Sequence, residues 1–129
     1  MQTQTIQEAC ENRGYDLQQI EAAAAMMPPA LQKFIRATAL RAVVVEALND
    51  GKVPDHKDYK QAKYETWFDL SVDGPAGLGL AFCGTRYWSS STICGARLQI
   101  LDNKDAIFFG TNPNFQELHA DALTYKPNN

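Results

Sequence analysis

Apolar positions recur with helical spacing through the first fifty residues and switch to alternation from Tyr64 onward. Thr5, with Glu8 three residues later, has the spacing of a capping box, and Gly14 is placed to close a short first helix. Asp16 with Gln19 repeats the device before Leu17, Ile20 and the run Ala22 to Met27, which Pro28 and Pro29 terminate. A third and longer helix is predicted from Ala30 to Asn49, with Gly51 as its stop. Its apolar arc begins with Leu31, Phe34 and Ile35, then rotates to Leu40, Val43, Val44, Ala47 and Leu48. A helix that changes its buried face meets two partners, here the small helices first and a sheet second. Arg41 falls inside the second arc and is expected to snorkel past the core edge.

Gly51 to Lys63 reads as a polar, solvated connector holding Pro54, His56 and four lysines against two aspartates. Beyond it the alternate residues Tyr64, Thr66, Phe68, Leu70 and Val72 form one apolar face of a strand. Asp73 to Gly77 is a turn cluster, after which Leu78, Leu80 and Phe82 alternate with Gly79, Ala81 and Cys83. A loop from Gly84 to Ser91 leads to the run Thr92 to Leu101, with Cys94, Ala96, Leu98 and Ile100 on one face. Three consecutive strands with short connections predict an antiparallel β-meander. Asn103 is placed to cap a short helical turn through Ala106, Ile107 and Phe108, closed by Gly110. Pro113 and Asn114 open another helix with Phe115, Leu118, Ala122 and Leu123 as apolar positions, and residues 126–129 are expected to fray. The order predicts one α+β domain over residues 1–129: a helical part (1–50), the sheet (64–101) and short C-terminal helices (103–125).

Composition narrows the class without changing that picture. The chain has 129 residues, 45% hydrophobic and 21% charged, which fits a globular domain and argues against disordered, collagen-like or coiled-coil architectures. The formal charge of −3 sets nucleic acid behind other partners, because a net negative field repels phosphate. Cys10, Cys83 and Cys94 make an odd count with no C-x-x-C pair, so reduced thiols in a cytoplasm are expected. The start lacks the basic and apolar pattern of a signal peptide, and Ala22 to Met27 is too short to span a bilayer, so no membrane partner is expected.

Candidate chemistry is sparse. Gly74-Pro75-Ala76-Gly77-Leu78-Gly79 lacks the Gly-Lys-Ser/Thr ending and following helix of a phosphate loop, so a turn accounts for its glycines. His56 and His119 lie in different elements with no third ligand nearby in sequence, a poor start for zinc. Asp55, His56 and Asp58 suit an exposed loop as well as a positioned base, and Ser89 to Ser91 lack a nucleophile turn. No catalytic residue, metal or cofactor is therefore assigned. The better candidate is the far face of the sheet, with Trp67, Asp69, Gly79, Ala81, Cys83, Gly95, Arg97 and Gln99, next to a loop carrying Arg86, Tyr87, Trp88 and the serines. Aromatic planes beside guanidinium groups suit a flat anionic ligand such as a nucleotide, and equally a protein interface. The site residues expected on that basis are Trp67, Arg86, Tyr87, Trp88, Ser90 and Arg97. The bland alternative is that Trp67 packs on Arg97 or under the C-terminal helices.

Several stretches together carry a family likeness: Glu8-Ala9-Cys10, Glu46-Ala47-Leu48-Asn49 with Gly51 and Pro54-Asp55, Lys63-Tyr64 before Trp67-Phe68, and Gly95-Ala96-Arg97-Leu98. In order and spacing they resemble a family of small uncharacterised proteins of phages and prophages of gut Bacteroides and their relatives, over nearly the whole chain. Gly110 and Pro113 depart from the longer unbroken helix usual at the end of that family. The resemblance implies a phage-encoded protein acting in the host cytoplasm or carried in a virion. The expected function is a non-enzymatic accessory protein that binds a host protein or a small anionic ligand, in a counter-defence role or another. A nucleic-acid-binding accessory protein and a minor virion or assembly component are the alternatives. Self-association through an exposed edge strand is a further partner class.

Overall fold

A computed structural model describes residues 3–125. Among these the fold is α+β, with five α-helices and a two-stranded antiparallel sheet. The helices are α1 (Ile6–Arg13), α2 (Leu17–Ala25), α3 (Gln32–Leu48), α4 (Asn103–Thr111) and α5 (Gln116–Leu123); the strands are β1 (Lys63–Asp69) and β2 (Ala81–Trp88). The expected fraying of 126–129 lies outside the described residues. No described helix is long and apolar enough to cross a membrane.

The early helices start and stop where local chemistry directs. Thr5 accepts from the Glu8 amide and Gly14 takes the left-handed conformation that closes α1. Asp16 caps α2, and Pro28 and Pro29 follow its end. Helix α3 lies against α1 and α2 on one side and α5 on another, while α4 covers β1 and β2. The main partners of α3 are thus helices rather than the sheet expected for its second arc. The core cluster joins Ala9 and Cys10 of α1, Leu40, Val43, Val44 and Val45 of α3, Ile100, Phe109, Phe115 and Leu118. Leu31 and Phe34 stay exposed, so the first arc of α3 does not bury as expected. Arg41 is buried rather than snorkelling, its Nε donating to His119 Nδ1 at 3.1 Å.

The three-stranded meander is corrected to two strands. β1 ends at Asp69 because its carboxylate accepts from both the amide and the hydroxyl of Ser71, which turns the chain and leaves Leu70 and Val72 exposed. β2 runs from Ala81 to Trp88, through residues expected as a loop, with a bulge that leaves Cys83 unpaired between Phe82 and Gly84. The run 92–101 is not a strand. Thr92 Oγ1 accepts from the amides of Cys94 and Gly95, a 3₁₀ turn follows at Ala96–Leu98, and only Ile100 bridges to Tyr64. Cys94 and Ala96, expected on a buried face, are exposed for that reason.

Gly110 is also corrected, since it lies inside α4 and does not close it. A Cβ built there would stand 2.3 Å from Phe82 Cδ1 and 2.6 Å from Thr66 Cγ2. Close approach of helix to sheet therefore demands glycine. Gly110→Ala is expected to cost about 2 kcal/mol by overpacking, although alanine favours the helix by about 1 kcal/mol. Equilibrium urea unfolding measures it; a variant as stable as the wild type would mean that Phe82 and Thr66 retreat freely.

Candidate functional site

The outer face of the sheet is built differently from the expected open platform. Its members along β1 are Lys63, Glu65 and Trp67, opposite Trp88, Arg86 and Gly84. Trp67 and Arg86 do come together. Trp67 lies close over Gly84, is 42% exposed, and has the Arg86 guanidinium 5.8 Å from its ring centroid. Tyr87 points to the other face and meets Tyr64 edge-on, at 5.8 Å between centroids, with much of its ring exposed. Trp88 is partly buried and its Nε1 has no hydrogen-bond partner among the described residues, while Ser90 is exposed. Arg97 leaves this group altogether, and Gln99, expected on the face, is buried.

Two charged residues of β1 explain that rearrangement. Lys63, expected in a solvated connector, is fully buried and donates to the carbonyls of Asp58 at 3.1 Å, Gln61 at 2.8 Å and Ser89 at 2.7 Å. Glu65, also buried, accepts from Thr92 Oγ1, the Ile93 amide and Gln99 Nε2. Burial opposes its charge, yet hydrogen bonds from Thr92, Cys94, Ile93 and Gln99 prevail and hold the carboxyl below its ordinary value. Although much of Cys94 is exposed, partial desolvation of its thiol and the adjacent Glu65 push it up to about 12, so it stays protonated at neutral pH. Gln99 also donates to the Ser91 carbonyl, and its Oε1 is 2.5 Å from His56 Nε2. The segments 57–62 and 89–99 are thus tied to one strand by one ammonium and one carboxylate.

Segment 89–99 carries Arg97 to a groove of about 410 Å³ between α3 and the turn that follows it. Ala42, Val45, Glu46 and Asn49 of the helix and its cap form one wall; Gly51 to Pro54, with Ala96 and Arg97, form the other. Gly51 is left-handed, and a Cβ there would stand 2.4 Å from the Arg13 guanidinium, which is how the turn brings Lys52 to the groove beside α1. Glu46 is already engaged: Arg13 Nε donates to it at 3.2 Å and the Tyr15 hydroxyl at 2.9 Å. That hydrogen bond raises the Tyr15 phenol above its ordinary value, against the pull of the nearby Arg13 and Arg97 charges. Asn49 is engaged at both ends, donating to the Gln99 carbonyl and accepting from the Leu101 amide, each at 2.9 Å. Arg97 and Lys52 form no ion pair within the described residues.

Of the six expected site residues, the structure joins Trp67 with Arg86 and places Arg97 in the groove, apart from them. Lys52, Glu46 and Val45 were missed. The signal for Lys52 was its place directly after the helix-stopping Gly51, where a side chain is held near the last turn of α3. His56 touches Gln99 whereas His119 lies in the core, and no three His, Cys, Asp or Glu side chains among the described residues converge on a metal position. Compared with protein-family models, with curated proteins and with solved structures, the chain finds no match.

Proposed function

We propose that the protein acts by binding rather than catalysis, taking a small anionic ligand into the groove between α3 and the turn 51–54. One observation carries the reading: Arg97 and Lys52 line the groove with no ion pair among the described residues, while its carboxylate, Glu46, is already held by Arg13 and Tyr15. Unpaired cations beside a concave apolar wall are the usual means of fixing an anion. The resemblance to phage and prophage proteins supports placing this role in an infected bacterial cell, as an accessory protein. Native mass spectrometry before and after denaturation, on protein purified from a bacterial cytoplasm, tests it. A small anion is expected to be released from the wild type. Arg97→Ala is expected to weaken its retention at least tenfold, about 1.4 kcal/mol, and to leave stability within about 0.5 kcal/mol because Arg97 is exposed. Equal retention by the variant would remove the groove from consideration.

A second reading has its own observation, the half-exposed Trp67 stacked beside Arg86. Tryptophan and arginine dominate the energetics of protein interfaces, so this face suits a host protein. Its test is whether Trp67→Ala abolishes a stoichiometric complex that Arg97→Ala leaves intact.

A further inference from the structure

We infer that the ligand of this groove is an organic monoanion with an apolar body, a carboxylate rather than a nucleotide or sugar phosphate. The inference rests on the groove being the ligand site and adds what that ligand is. Charge comes first. Arg13 and Glu46 pair off beside the groove, which leaves Lys52 and Arg97 as two cations on its wall. The carbonyl end of α3 adds roughly half a negative charge in the same place. About one and a half positive charges remain, which balance one negative charge in full and a second only in part. A dianionic phosphate would meet the helix at its negative pole, whereas phosphate sites favour the opposite end.

The hydrogen-bonding inventory points the same way. A nucleotide or sugar phosphate brings a ribose or sugar ring whose hydroxyls need partners once buried. Asn49 has spent both ends on Gln99 and Leu101, and Glu46 both oxygens on Arg13 and Tyr15. None of the lining residues is aromatic, so a base would have no plane to stack on. What the walls do offer is aliphatic surface, from Val45, Val53, Pro54 and Ala96. Arg97 supplies a planar fork that matches a carboxylate with two parallel hydrogen bonds, and Lys52 a point charge beside it. A volume of about 410 Å³ is at the small end for ligand pockets, which suits a short branched or aryl body.

The test is a titration of ¹⁵N-labelled full-length protein, read at the amides of Val45, Gly51, Lys52, Ala96 and Arg97. The probes are 4-methylpentanoate, 3-phenylpropanoate, the neutral 4-methylpentanamide, AMP and inorganic phosphate. At least one carboxylate is expected to shift those amides saturably at millimolar concentration, with the amide, AMP and phosphate each at least tenfold weaker. Arg97→Ala, with its spectrum otherwise unchanged, is expected to lose the response. AMP or phosphate binding there as tightly as the carboxylates, or 4-methylpentanamide matching its acid, would overturn the ligand class and leave the groove standing. No response to any anion would overturn the groove itself.

Discussion

Stability is expected to fall steeply as pH drops below about 6.5, with His119 responsible for most of the loss down to about pH 4.5. Its ring is fully buried between Phe68 and Phe109, at centroid distances of 4.5 and 4.6 Å. The neighbours dictate its protonation. The Phe109 carbonyl, 2.8 Å from Nε2, can only accept, so Nε2 carries the proton. Arg41 Nε, 3.1 Å from Nδ1, can only donate, so Nδ1 must keep its lone pair. A second proton would set one N–H against another beside a buried cation. Burial first and the Arg41 charge second therefore push His119 down to about 3, the Phe109 carbonyl opposing them.

The unfolded chain takes up that proton near 6.5, its ordinary value, and the folded chain only near 3. Stability is thus whole above 6.5 and is lost progressively on the way down, by about 5 kcal/mol at the full span. Glu65 adds a separate limb at lower pH: its folded value lies below 4.5, so its contribution disappears only as pH falls through that lower value. Urea unfolding at a series of pH values separates the two. His119→Gln is expected to flatten the upper limb and keep the lower one. Arg41→Met is expected to shrink the upper limb as well, because without the cation the folded His119 protonates nearer its ordinary value. An upper limb unchanged in His119→Gln would show that another group titrates there.

Lys63→Met is expected to cost 3 kcal/mol or more, on the order of losing one partner of a buried charged network. The methionine keeps most of the apolar stem but leaves the carbonyls of Asp58, Gln61 and Ser89 facing no donor. The damage should not be uniform. Amide hydrogen exchange is expected to accelerate most in the segments 57–62 and 89–93, which the ammonium ties to β1, while α1 and α3 keep their protection relative to global unfolding. Since segment 89–99 carries Arg97, retention of the proposed ligand should weaken with it. A loss below 1 kcal/mol would mean that water replaces the ammonium at the three carbonyls and that Glu65 alone secures the loop.

The candidate site was legible only in fragments. Trp67 and Arg86 stand diagonally across neighbouring strands, so alternation along β1 places the tryptophan on the outer face; the extension of β2 to Trp88 brings Arg86 to it. Arg97 was recognisable as chemistry but assigned to the wrong surface, because the run 92–101 alternates like a strand while its backbone is claimed by Thr92, Gly95 and the 3₁₀ turn. Lys52 reads as one solvated charge of the connector. Its place in the proposed site depends on Arg13 and Tyr15, more than thirty residues before Glu46, holding the glutamate beside it.

What the sequence by itself determined is what a few neighbouring residues can settle: the cap at Thr5, the left-handed close at Gly14, the cap at Asp16, the stop at Pro28 and Pro29, the long helix before Gly51, and the alternation that starts at Tyr64. Only the tertiary structure decided that Lys63 and Glu65 turn inward, that Arg41 meets a histidine 78 positions away, and that Gly110 marks a helix touching a sheet. The physical reason is one of range. Caps and turns satisfy backbone groups within one turn of chain, so their signals are written locally. A buried charge is tolerable only where distant carbonyls, amides or rings converge on it, and that convergence is a property of the packed fold.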